Sequence, residues 1–165
     1  MLARFVLGAV MAGATIVPAM AGQMTAEEAK RFATPEAALD WIAASLSGRQ
    51  ELVLLAGILH AVLERNLSVE TARAFKLGVD AGIASIVPDL ARALHLDSEK
   101  DARRFLNWLQ ASVVGIHQLA SPAPTVRTAM AQEPRLAGMT VDFQQELRAM
   151  LSALLIGLRQ KEHSQ

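Results

Sequence analysis

The 165-residue sequence contains no cysteine, which rules out disulfides and thiolate metal sites. Aromatic side chains make up only 4% of it. Runs of β-branched and aromatic residues, the material of strands, are few. An excess of one charge is also missing: 16 basic and 16 acidic side chains give a formal net charge of zero. A non-specific nucleic-acid binder needs a basic patch, and no basic run here is longer than two residues, as in Arg103 with Arg104. Chemistry-bearing motifs are absent as well. Gly78 and Gly82 stand inside a helical pattern without the spacing of a phosphate-binding loop. No H-E-x-x-H pair, paired E-x-x-H motif or G-x-S-x-G elbow occurs. No residue is therefore assigned a catalytic role, and no metal or cofactor is expected.

What is present favours helices. Apolar residues make up 52% of the chain, and Ala, Leu, Glu, Arg and Gln, all good helix formers, dominate. The length suits one domain, large enough to bury a core without staples. The expected class is all-α, a bundle of about six to eight helices.

Residues 1–24 carry a single charge, Arg4. An apolar run follows, then Pro18 and Ala19-Met20-Ala21. A basic start, a short apolar segment and an A-x-A ending are the parts of a secretory signal. The segment is short and glycine-rich for a membrane span. The other reading is an apolar helix of the fold itself. Residues 25–165 form the main helical unit.

Helix signals recur along that unit. Thr34, Pro35 and Glu36 open a helix, with Leu39, Ile42, Ala43 and Leu46 on one face and Gly48 at its end. The next helix, about 49–65, is apolar almost all round and is expected at the centre of the fold. Ser68 caps another, whose stripe is Phe75, Val79, Ile83 and Ile86, and Pro88 is expected to break it. Ser98 with Asp101 resembles a capping box for a long helix over 99–120. A short helical turn covers about 125–131, and Thr140 is expected to cap the last helix.

The two longest helices each show two apolar faces. On 99–120 one face holds Ala102, Leu106, Leu109, Val113, Ile116 and Ala120. The other holds Phe105, Trp108, Ser112, Gly115 and Leu119. The last helix carries Phe143, Leu147, Met150, Leu151, Leu154 and Leu158, with Ala149, Ala153 and Ile156 as a second set. One stripe serves a helix's own core, so a second implies either a larger bundle or a two-fold pairing of chains. The candidate interface residues are Trp108, Ser112, Gly115, Leu119, Leu147, Leu151, Leu154 and Leu158.

The polar exceptions on apolar helices are candidate ligand anchors. His60 and Glu64 share a helix face, although two ligands are too few for a metal site. His117 near the end of the long helix invites the same choice between core group and anchor. Phe75 and Trp108 complete the candidate set, while His95 and His163 read as surface residues.

The stretch LHAVLERNLSVETARAFK at 59–76 resembles the sensor segment of TetR-type transcriptional regulators. Three later pieces fit the same pattern: VVGIHQLA at 113–120 followed by Ser121 and Pro122, the segment from Pro134 to Val141-Asp142-Phe143, and LLIGL at 154–158. The resemblance covers roughly residues 30–160. It implies a tetracycline-repressor-like C-terminal domain that forms homodimers through its two long helices and binds a small apolar or amphipathic effector. It also implies that DNA is held by an N-terminal helix-turn-helix domain, which this sequence does not carry, and that residues 1–24 are the connecting helix. Such a regulator would be cytoplasmic and not an enzyme. The alternative is a periplasmic or secreted helical binding protein with residues 1–21 as its signal peptide.

Overall fold

The computed structural model describes residues 34–58 and 67–160. Expectations for residues 1–24, His60, Glu64 and His163 lie outside them. The described residues form six α-helices and one 3-10 helix, with no strand among them, as the composition implies.

Helix α1, Pro35–Ser47, starts where the sequence places it. Thr34 Oγ1 accepts the Ala37 N–H at 3.3 Å, and Pro35 occupies the first turn, where its missing N–H costs nothing. Ala38, Leu39, Ile42, Ala43 and Leu46 are buried. Helix α2, Gln50–Ile58, corrects an expectation. Its sequence is apolar all round, yet although Val53 and Ala56 are buried, Leu54 is 54% exposed and Ile58 41%. In its described part α2 is a flanking helix, set against α4 and α1. Gly57 lies at the α4 contact, where an added Cβ would stand 3.7 Å from Val114 Cγ1.

Helix α3, Val69–Ala93, is capped by Ser68, whose Oγ accepts the Thr71 N–H at 3.2 Å. It does not break at Pro88 but runs through it. A proline inside a helix forfeits one hydrogen bond and costs about 3 kcal/mol. Val87, Leu90, Ala91 and Ala93 are buried around it, and apolar burial of that extent offsets the loss. The helix ends in two crossed bonds, Leu96 N–H to Ala91 O at 2.9 Å and His95 N–H to Arg92 O at 3.2 Å. This is a Schellman termination. The left-handed position, usually glycine, is filled by His95 at φ 50°. Arg159 Nη2 donates to the Leu94 carbonyl at 2.6 Å and secures the turn from the far end of the chain.

Helix α4, Glu99–Ala120, has the bounds the sequence suggests. Ser98 Oγ accepts the Asp101 N–H at 3.1 Å. The Asp101 carboxylate takes a short hydrogen bond from the Ser98 hydroxyl and not from the Ser98 backbone; aspartate is one methylene shorter than the glutamate of a full capping box. Helix α5, Pro124–Gln132, and the 3-10 turn Pro134–Met139 form an excursion in which no residue is buried. Glu133 caps that turn and pairs with Arg135 at 3.0 Å; the guanidinium holds the Glu133 carboxyl below the usual carboxylate range.

Helix α6, Phe143–Gln160, is capped not by Thr140 but by Asp142, whose Oδ1 accepts the Gln145 N–H at 2.7 Å. Thr140 instead closes the 3-10 turn, donating its N–H to Ala137 O. Helix α6 packs on both α1 and α4, and α4 in turn carries α2 and α3. Phe105, Leu39, Leu94, Leu147 and Leu151 are the largest fully buried side chains of the resulting core. Arg148 ties α6 to α1 through a close ion pair with Asp40 and also donates to Ser152 Oγ at 2.9 Å.

Two stability effects follow. Truncating Leu151 to alanine leaves a cavity in a closely packed site and should cost about 2–5 kcal/mol in a denaturant titration. His95→Gly removes the left-handed strain at the end of α3 and should add about 1 kcal/mol in the same measurement.

Candidate functional site

The surface of the two long helices holds more apolar material than folding of one chain uses. On α4, positions 108, 111, 112, 115 and 119 recur at helical spacing. Ala111, Gly115 and Leu119 there are exposed and Trp108 and Ser112 half-buried; Leu119 is 66% exposed. On α6 the exposed small and apolar residues are Ala149, Met150, Ala153, Ile156 and Gly157, with Ile156 53% exposed. A Cβ added at Gly115 or Gly157 would meet nothing within 4 Å, so bare backbone faces open space at both positions. Neither row contains a charged residue. Arg104 lies beside the α4 row, its guanidinium 5.0 Å from the centre of the Trp108 ring. An uncharged row of small and apolar side chains lets another helix approach closely.

Part of the expected interface set changes sides. Leu147 and Leu151 are 0% exposed and Leu158 is 3% exposed, all within the core of the single chain. They have no surface left for a partner, and the interface expectation is corrected at these three positions. Phe105, placed by sequence on the second face of α4, is likewise at the centre of the core. Both apolar sets on each helix satisfy a helical period, and periodicity cannot say which set a chain keeps for itself. Trp108, Ser112, Gly115, Leu119 and Leu154 keep exposed or half-buried surface. Ala149, Met150, Ala153, Ile156 and Gly157, exposed on α6, were missing from the interface set. The signal for Gly157 was its seven-residue spacing from Met150.

The described candidate ligand residues, Phe75, Trp108 and His117, do not meet at one place. His60 and Glu64 lie outside the described residues. Phe75 is 4% exposed yet stands apart from the continuous buried cluster, with Lys76 Nζ 5.8 Å from its ring centre. Trp108 belongs with the outward row of α4. His117 is half-buried in the last turn of that helix, and its ring meets Phe143 edge-on, with centres 6.0 Å apart and planes at 86°. Trp108 and His117 are nine residues apart on one helix, two and a half turns, so they point to opposite sides. A single pocket cannot be lined by both.

Among the described residues no buried side chain is polar or charged. No group of three or more His, Asp or Glu is placed to hold a metal among them, and no described helix is long and apolar enough to cross a membrane. Any small molecule admitted between these helices would meet hydrocarbon first.

An all-helical chain with these element bounds matches one known family model, the tetracyclin repressor-like C-terminal domain, over residues 13–162. The chain belongs to that family. The match begins before α1 and extends past α6, so all the described elements fall within the tetracycline repressor-like domain. No curated protein sequence matches the chain.

The two kinds of position on the long helices should respond differently to substitution. Leu151→Glu places a charge in the apolar core and should leave the protein unfolded or insoluble. Gly115→Arg projects into open space and should give soluble protein with unchanged far-ultraviolet circular dichroism. Equal damage from the two changes would contradict this placement of the faces.

Proposed function

We propose that this tetracycline repressor-like domain pairs two copies of the chain through α4 and α6 and senses a small apolar or amphipathic molecule. The observation that carries the pairing is the uncharged row of exposed and half-buried residues on each helix: Trp108, Ala111, Ser112, Gly115 and Leu119 on α4, and Ala149, Met150, Ala153, Ile156 and Gly157 on α6. Juxtaposed across a two-fold axis, the two hairpins make a four-helix bundle. The glycines and alanines at its seam allow close packing, while Leu119, Met150 and Ile156 supply the apolar area that association needs.

The sensing site in this reading lies between α2, α3 and α4, near Phe75. Two observations support it. Phe75 is buried apart from the continuous core of the described residues, and Leu54, Ile58 and Leu77 on the flanking helices leave apolar surface uncovered. The absence of buried polar groups among the described residues favours a ligand held mainly by apolar contact. The mechanism is a population shift: the ligand binds one arrangement of the helices better than another and draws the dimer toward it. The role is regulatory rather than catalytic, in the cytoplasm, and DNA is contacted by a helix-turn-helix domain. The adjacent basic pair on α4 is already engaged, Arg103 with Asp80 and Arg104 against the Trp108 ring.

Light scattering at micromolar concentrations tests the pairing. The unmodified protein should have the mass of a dimer and Ile156→Glu that of a folded monomer. An unmodified protein that is monomeric, or an Ile156→Glu variant that remains a dimer, refutes the α4–α6 pairing. A thermal-shift screen with apolar and amphipathic small molecules tests sensing. A true ligand at about 100 times its Kd should stabilise the fold by about 2.7 kcal/mol, and Phe75→Ala should reduce that shift.

A further inference from the structure

Coverage of α3 is uneven along its length. Before Val87 only Phe75 is buried, whereas Val87, Leu90, Ala91 and Ala93 at the far end are all in the core. The change coincides with Pro88, which has no N–H to offer the Ala84 carbonyl. Two glycines, Gly78 and Gly82, lie just upstream, and glycine is the weakest helix former after proline. Around Gly78 the space is open, with nothing within 4 Å of an added Cβ. The Ser85 hydroxyl donates to the Gly82 carbonyl at 2.7 Å, a local bond that competes with the helix ladder and favours bending. Across to α4, the upstream stretch is tied by Arg103 Nη1 to Asp80 Oδ1 at 3.0 Å. Both side chains of that pair are well exposed, and such a pair holds weakly.

We infer that α3 consists of two mechanical units joined at residues 82–88. The turn beyond Pro88 is fixed in the core. The stretch from Val69 to Ala81 is an arm that swings against α4, latched by the Asp80–Arg103 pair, with Phe75 on its inner side. The inference rests on the sensing role proposed above and deepens it, because the arm is then the wall that yields when a ligand enters beside Phe75. The features that lower the stability of the helix are concentrated where a pivot would need them, and every buried residue of α3 except Phe75 lies at or beyond that point.

Hydrogen–deuterium exchange of the ligand-free full chain, read by mass spectrometry, tests the device without any ligand. Amides of residues 72–81 should exchange together, at least about tenfold faster than those of residues 89–93 and 105–116. Pro88→Ala restores the missing donor and should narrow that gap while leaving residues 105–116 unchanged. Arg103→Ala should widen it. Protection that is uniform along α3, or a Pro88→Ala variant that slows the arm and the α4 core alike, overturns the inference. Failure of the thermal-shift screen would count against sensing alone, since the exchange pattern does not depend on a ligand.

Discussion

The insertion of α6 between α1 and α4 is the contact on which the rest of the molecule depends. Among the described elements, α1 and α4 are joined mainly through it. Leu147, Leu151, Leu155 and Leu158 supply the apolar wedge, and Arg148 and Arg159 add polar ties to Asp40 and to the Leu94 carbonyl. The last helix thus secures both the first described helix and the end of α3. Its partners on α1 are about a hundred residues away in sequence, so this part of the core forms only when nearly the whole chain has been assembled. Long-range closure of this kind slows folding relative to a bundle of neighbouring hairpins.

Once α6 is in place, α4 acts as the hub. One side of it completes the core through Phe105, Leu109, Val113 and Ile116, another receives α2 and α3, and the remaining row leaves Ala111, Gly115 and Leu119 exposed. That division explains why function is assigned to surfaces instead of to a cluster of reactive groups. The described interior is wholly apolar and the charged side chains lie outside it. Recognition of a ligand, as proposed, would come from shape and apolar area, and selectivity from how readily the helices rearrange.

Much of this architecture was legible in the residues. Thr34, Ser68 and Ser98 each mark a helix start, because a short side-chain acceptor can satisfy a free N–H only at that position. The stripe of α1 and the bounds of α4 followed from period and punctuation. Three features were not legible. Helix α2 is apolar on every side, and composition alone could not reveal that Leu54 faces solvent. Pro88 is a strong local signal for a break, but burial of the following turn, a tertiary effect, overrode it. Leu151 and Ile156 have similar chemistry and both fit a helical period, so only packing could put one in the core and the other on the surface. The same limit applies to the ligand residues: Trp108 and His117 were attractive one at a time, and the helical repeat that separates them matters only when they are asked to act together.

The excursion formed by α5 and the 3-10 turn buries no residue, although it joins the two helices that matter most. Its sequence is therefore nearly free of the demands that packing makes on α4 and α6. Substitutions there, and changes of length, would leave Phe105 and Leu151 undisturbed. Evolution can use such a stretch as a region of free drift, where related chains diverge or acquire new recognition elements while the helices on either side stay constrained.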